Sequence, residues 1–245
     1  MRALRFVIKV IKIIGLGGNF ILRDFMAFFI ARLAPEFKLV IIDGGSYKFH
    51  HRNHEDFKKP RNKALDSKDL LLSRFPNLNI EAWPFYVGRE NTRSSISTKR
   101  IIQNGDVIFS CVDNGPSIQL ISLRSVELQD IILIVAGVDG ADILIQIYLK
   151  INGIELTKPI HERNVFVAKP DGMLPSEALR QDCLDTATQD KPNIFSLMLS
   201  GGLALSAFYS IKEHLDSRRI DRFNIQDIYF NISKMKMRIE QINLK

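Results

Sequence analysis

Short apolar blocks alternate along the chain with polar breaks rich in Gly, Asn, Asp and Pro. Residues 7–14 form a β-branched run that leads into Gly15-Leu16-Gly17-Gly18-Asn19-Phe20. An apolar stretch of helical length, 21–33, follows, and residues 38–42 form a second apolar run that ends on Asp43. Strand, glycine turn, helix, strand and acid is the order of a nucleotide-binding βαβ unit. Glycines let backbone approach phosphate oxygens, and the first turn of the next helix offers free N–H groups to an anion. An acid at the end of the second strand can accept hydrogen bonds from ribose hydroxyls.

The later blocks extend this unit. Residues 63–75 carry Leu65, Leu70, Leu71 and Leu72 on one helical face, and Pro76-Asn77 stops them. Residues 79–87 read as a strand and 94–103 as a short helix stopped by Asn104-Gly105. The run 106–112 (DVIFSCV) is mostly apolar and β-branched, as in a strand covered on both faces, and Asp113-Asn114-Gly115 follows it. Residues 117–128 read as a helix, 131–135 as a strand ended by Gly137 and Gly140, and 143–150 as another strand. Asn152-Gly153 marks a hairpin whose return strand is 155–160. The irregular stretch 161–180 reads as a loop or crossover, 194–211 as a long helix interrupted by Gly201-Gly202, and 222–245 as a hairpin or terminal strand. The expected fold is α/β: a Rossmann-like, mostly parallel sheet with helices on both faces and antiparallel strands at the C-terminal end.

Composition narrows this picture. The 245 residues fit one large α/β domain, here 1–245, and 46% hydrophobic residues suffice for its core. No apolar stretch is expected to reach the roughly 20 residues of a membrane span, and residues 1–15 read as a first strand with a short basic lead-in, so no membrane partner is expected. Two cysteines, Cys111 and Cys183, cannot make a disulfide framework and point to a reducing, cytoplasmic setting. The net charge of +7 is spread without a basic block, so it identifies no nucleic-acid arm. His50, His51 and His54 lie in a dense polar stretch beyond Asp43 with no cysteine or spaced fourth ligand, and they read as loop rather than metal site.

The combination of Gly-x-Gly-Gly, Asp43, a polar loop, Lys63 and Cys111-Val112-Asp113-Asn114 resembles the ThiF/MoeB/HesA superfamily, the ubiquitin-activating-enzyme-like adenylyltransferases. The resemblance spans about residues 7–150 and returns in 194–211. It implies ATP and magnesium, with no structural zinc, because the paired Cys-x-x-Cys motifs of many members are absent. It implies an ATP-binding core at 1–150, with a crossover segment, helix and terminal strands at 151–245. Gly15, Gly17 and Gly18 then lie along the nucleotide, Asp43 holds ribose, Lys63 contacts phosphate, Asp113 supports magnesium, and Asn114 lines the same site. The reaction joins a carboxylate, usually the C-terminal glycine of a ubiquitin-like or sulfur-carrier protein, to AMP. A homodimer is expected, with Arg2 and Arg5 as candidates for a trans contribution. A tRNA-modifying member and a catalytically impaired partner subunit are the rivals.

The loop after Asp43 departs from the family pattern. Without a gap, the family's second acid falls on Gly45, its asparagine on His51, its arginine on His54 and its glutamine on Glu55. In that register His54 takes the arginine's ATP-binding place, where a neutral imidazole cannot make a bidentate phosphate contact, whereas a shifted loop puts Arg52 and Asn53 in the arginine and asparagine roles. Cys183, between Asp182 and Asp185 in the crossover, is the candidate thioester nucleophile that some members use.

Overall fold

A computed structural model describes residues 6–16, 19–46, 61–139, 141–163 and 194–242. The strands are β1 (Val10–Ile14), β2 (Lys38–Ile42), β3 (Ile80–Trp83), β4 (Tyr86–Gly88), β5 (Ser95–Ser97), β6 (Asp106–Ser110), β7 (Ile131–Asp139), β8 (Asp142–Ile151), β9 (Ile154–Glu155), β10 (Ile225–Asn231) and β11 (Lys236–Gln241). The helices are α1 (Phe20–Leu33), α2 (Lys63–Arg74), α3 (Thr98–Ile101), α4 (Gly115–Val126) and α5 (Ile194–Asp216).

The main sheet runs β11-β10-β8-β7-β6-β1-β2-β3, with β9 paired to β8. Pairing is parallel from β3 through β7 and antiparallel from β7 through β8 and β10 to β11. Strand alternation divides the core into two layers. Ile11, Ile13, Leu39 and Ile41 face the layer with α1, α2 and α5, while Ile14, Val40 and Ile42 face the layer with α4. The expected mostly parallel sheet with helices on both faces and antiparallel C-terminal strands is present. Lys12, in the middle of β1, is buried and donates to Asp106 Oδ2 at 2.5 Å and to the Ile101 carbonyl at 2.7 Å, tying β1 to β6 and α3.

Several expected boundaries move for local reasons. The strand placed at 79–87 divides into β3 and β4, because Pro84 supplies no N–H for a ladder. The helix placed at 94–103 shrinks to α3, preceded by β5 and capped by the Ser97 side chain, which accepts from Lys99 N. β7 continues through Gly137, since β8 pairs with it to Asp139. The return strand placed at 155–160 is only β9. Asn152 (φ 50°) and Gly153 (φ 79°) make the turn, and a 3-10 turn at Ile160–Glu162 follows.

Helix α5 corrects the expectation about apolar length. Over 23 residues, with a mean hydropathy of 1.7 in its 18-residue window, it is long and apolar enough to cross a bilayer. In this fold it lies along α1 and the sheet: Phe208 packs edge-on to Phe29 and Phe109, with ring centroids at 5.8 and 5.7 Å. The internal glycine has a packing reason, because a Cβ at Gly201 would lie 3.2 Å from Leu22 N on α1.

Candidate nucleotide-binding site

Helices leave the carboxyl ends of β1 and β6 toward opposite faces of the sheet, α1 to one layer and α4 to the other. Such a switch point opens a crevice where α/β sheets take ligands. At its floor, Gly15 has φ +82° and donates to the Ile42 carbonyl at 2.9 Å. A Cβ there would meet Val112 Cγ1 at 2.8 Å and Val112 N at 2.9 Å. Gly15 is therefore required both by its left-handed backbone and by the close approach of the chain after β6.

Asp43 ends β2 at the same edge. Its Oδ2 accepts from Leu16 N and its Oδ1 from Gly45 N, each at 2.6 Å, so the carboxylate braces the glycine turn from below. Burial raises its pKa above the ordinary carboxylate value, the Lys63 charge and the two N–H donors pull it back, and Asp113 pushes it up again. The mutual influence of Asp43, Lys63 and Asp113 gathers three of the expected site residues at one edge. Asp113 is exposed, three residues beyond the end of β6, which stops at Ser110 rather than at the expected residue 112. Asn114 is buried and caps α4, its Oδ1 accepting from Ser117 N at 2.9 Å. Gly17, Gly18, His54 and Cys183 lie outside the described residues.

Three residues not singled out by the sequence complete the site. Asn62 precedes Lys63 and caps α2, accepting from Ala64 N and Leu65 N at 2.9 and 3.2 Å. Its Nδ2 donates to the carbonyls of Asp43 and Gly45 at 2.8 and 3.2 Å, and Lys63 N donates to Gly45 O at 2.8 Å. One side chain thus fixes the start of α2, and with it Lys63, against the end of β2. Buried Arg23 on α1 reinforces this, donating to Ser67 Oγ of α2 at 2.8 Å. Asn19 caps α1 through Oδ1, accepting from Leu22 N at 3.0 Å, and its buried Nδ2 has no hydrogen-bond partner among the described residues. An asparagine before a helical run is a legible cap signal, and it could have marked both Asn19 and Asn62.

Asn62→Ala removes two cap bonds and two tethers. It is expected to lower stability by about 1–2 kcal/mol. It should also weaken ligand binding through Lys63, measured by urea unfolding beside ATP titration. Asn62→Asp keeps the cap acceptors and loses the tethers, so it should recover much of the stability but not the binding.

The residues fit a nucleotide's chemistry. The α1 N-terminus and the orphaned Asn19 amide supply donors, Lys63 supplies a fixed cation, and Asp43 supplies an acceptor. Among the described residues no group of three His, Cys, Asp or Glu side chains gathers as a metal site. Magnesium needs less, commonly one or two carboxylates with substrate phosphates and water, and Asp113 is placed for that. Cys111 is buried, and burial pushes its thiol up to about 12, so it is unreactive.

No family model and no curated protein sequence matches the chain. Solved structures do match its fold. MccB from E. coli, solved with ATP, aligns with a TM-score of 0.64 at 12% identity over 95% of this chain and 63% of MccB. MccB solved with MccA-N7isoASN aligns with a TM-score of 0.66 at 13% identity over 96% of this chain and 64% of MccB. PaaA aligns with a TM-score of 0.62 at 15% identity, covering 96% of this chain and 73% of PaaA. The chain spans less than two thirds of the length of MccB. At these identities the likeness concerns architecture, and the chain has the fold of MccB and PaaA.

Proposed function

We propose that the chain is an ATP-dependent adenylyltransferase of the ThiF/MoeB/HesA type that activates a carboxylate. The observation that carries this reading is the junction at the carboxyl edge. There Asp43 braces the glycine turn, Asn62 seats Lys63 beside it, and Asp113 follows β6, the strand on the other side of β1. MccB, which shares the fold, has been solved with ATP and with MccA. That pairing supports ATP as one substrate and the C-terminal carboxylate of a peptide or carrier protein as the other. A ubiquitin-like or sulfur-carrier protein is the preferred acceptor.

In the proposed reaction a carboxylate oxygen attacks the α-phosphorus of ATP. The bond to the bridging oxygen breaks, and acyl-adenylate and pyrophosphate result. The protein's task is to bring two anions together and neutralise the leaving charge. Asp43 holds the ribose hydroxyls. The α1 N-terminus and Asn19 Nδ2 face phosphate with donors, and Lys63 offsets the charge on the departing pyrophosphate. Asp113 would hold magnesium, which would supply positive charge to offset that of the phosphates. Residues 1–245 act as one domain, in a cytoplasmic homodimer. Cys183 remains the candidate acceptor of the activated acyl group, and tRNA the less favoured substrate.

A second reading, an impaired partner subunit, is favoured by Gly45. A Cβ at this position would lie only 2.9 Å from Asp43 Oδ1, so the place of the family's second acid is crowded as well as empty of charge.

ATP–pyrophosphate exchange, run with peptides and ubiquitin-like proteins bearing free C-terminal carboxylates, tests the proposal. Exchange that requires carboxylate and is lost in Asp43→Asn supports the enzyme. ATP binding without exchange for any carboxylate supports the impaired subunit.

Asp43 also sets a pH dependence. Its folded-state pKa is raised above the ordinary 3.8, so its contribution to stability is present at low pH and lost as pH rises through the folded value. Ribose binding needs the ionised carboxylate and therefore moves the opposite way. ATP affinity is expected to rise, while ligand-free stability attributable to Asp43 falls, as pH rises from the ordinary carboxylate value through the raised folded-state value. Asp43→Asn should flatten both trends, as read by thermal melts and ATP titration at each pH.

A further inference from the structure

Strand β11 closes the antiparallel end of the sheet. Met235, Met237 and Ile239 are 76%, 52% and 43% exposed there. Among the described residues no strand pairs with its outer edge. Ile242 N–H points inward, donating to the Asn224 carbonyl at 2.8 Å. By antiparallel alternation, Gln241, Ile239 and Met237 direct their backbone N–H and C=O groups outward. These are unpaired ladder groups on an edge whose outward residues include two exposed apolar side chains, the arrangement that recruits another strand.

The charges on this edge select the partner. An antiparallel twofold centred on Ile239 places Ile239 against its own copy, Met237 opposite Gln241, and Arg238 opposite Glu240 twice. A twofold centred on Arg238 or Glu240 would oppose identical charges, and one centred on Met237 would set Lys236 against Arg238. A shift by half a step exchanges the two faces of the strand. Of the registers centred on residues 237–240, only that at Ile239 matches outward backbone groups, apolar side chains and unlike charges together. We propose that β11 is a self-association edge, on which two copies of this chain join antiparallel about Ile239 into one continuous sheet. Arg238 and Glu240 already contact each other within one strand at 2.5 Å, so both side chains lie on the face where the copies would exchange them.

Sedimentation velocity of the full chain over a range of concentrations tests this. The wild type should dimerise with rising concentration. Glu240→Arg, which puts arginine against arginine twice, should weaken association about tenfold or more, and Arg238→Glu should do likewise. The double exchange Arg238→Glu with Glu240→Arg restores unlike pairs and should restore the dimer. Circular dichroism melts check that each variant is folded, since Arg238 is exposed but Glu240 is only partly so and lies near the buried Arg163–Asp227 pair. A chain that stays monomeric at every concentration overturns the proposal. So does a dimer indifferent to both single reversals, or a double exchange that fails to recover association.

Discussion

Lys63→Met is expected to lower kcat/KM for carboxylate adenylation by about 10²–10³-fold, the range found when one fixed donor to a developing charge is removed. The side chain is partly buried, and methionine keeps most of its length, so the fold should survive. What is lost is the cation of a residue whose backbone N–H is fixed to the Gly45 carbonyl, which Asn62 also tethers. A second signature separates this from a general loss of structure. The Lys63 charge lowers the Asp43 pKa, which burial has raised. Without it the Asp43 carboxyl rises further, so the acid limb of ATP binding should move to higher pH in Lys63→Met. A variant with reduced turnover but an unmoved acid limb would show that Lys63 does not act beside Asp43.

Gly15→Val should be the most damaging single substitution in the turn. A β-branched residue at φ +82° adopts the left-handed region only with strain, and the new Cβ would meet Val112 Cγ1 at 2.8 Å and the Cys111 carbonyl carbon at 3.0 Å. Two of the three near atoms belong to backbone, so a rotamer change cannot relieve the contact. The combined cost is about 2–5 kcal/mol. For a chain of this size that lowers Tm by roughly 5–15 °C. Because the displaced segment leads directly to Asp113, ATP binding should fail even in the fraction that stays folded. Gly105 offers a control: it also has positive φ, +86°, but a Cβ there meets nothing within 4 Å. Gly105→Ala should carry only the backbone cost, about 1 kcal/mol. Differential scanning calorimetry of the two variants separates crowding from backbone strain.

The legible parts of the chain were those written in local patterns. Residues 39–42 and 107–109 are uninterrupted apolar runs, and both belong to central parallel strands whose two faces are covered. Glycine at 15, acid at 43 and the Asp113-Asn114 pair mark strand ends by their chemistry, and the fold brings them to one edge. Long-range pairings were not legible. Asn62 reaches carbonyls 17 and 19 residues away, and nothing beside it in the chain announces those acceptors. The Lys12–Asp106 pair spans 94 residues and places a charge where alternation alone predicts an apolar side chain. Pro84 was visible, but its effect depended on whether the strand around it needed a ladder donor. The helix expected at 194–211 continues to Asp216 through a more polar last turn, and close packing on Leu22 gives Gly201 its place inside it.

The central proposal is that the crevice beside Gly15 takes ATP, through Asp43 and Lys63. Calorimetric titration of the full chain with ATP and magnesium, repeated with NAD, Asp43→Asn and Lys63→Met, measures this most directly. Saturable ATP binding that NAD does not compete for, weakened at least about tenfold in each variant, is the predicted result. Preferential binding of NAD, or ATP binding that both variants leave unchanged, would contradict it.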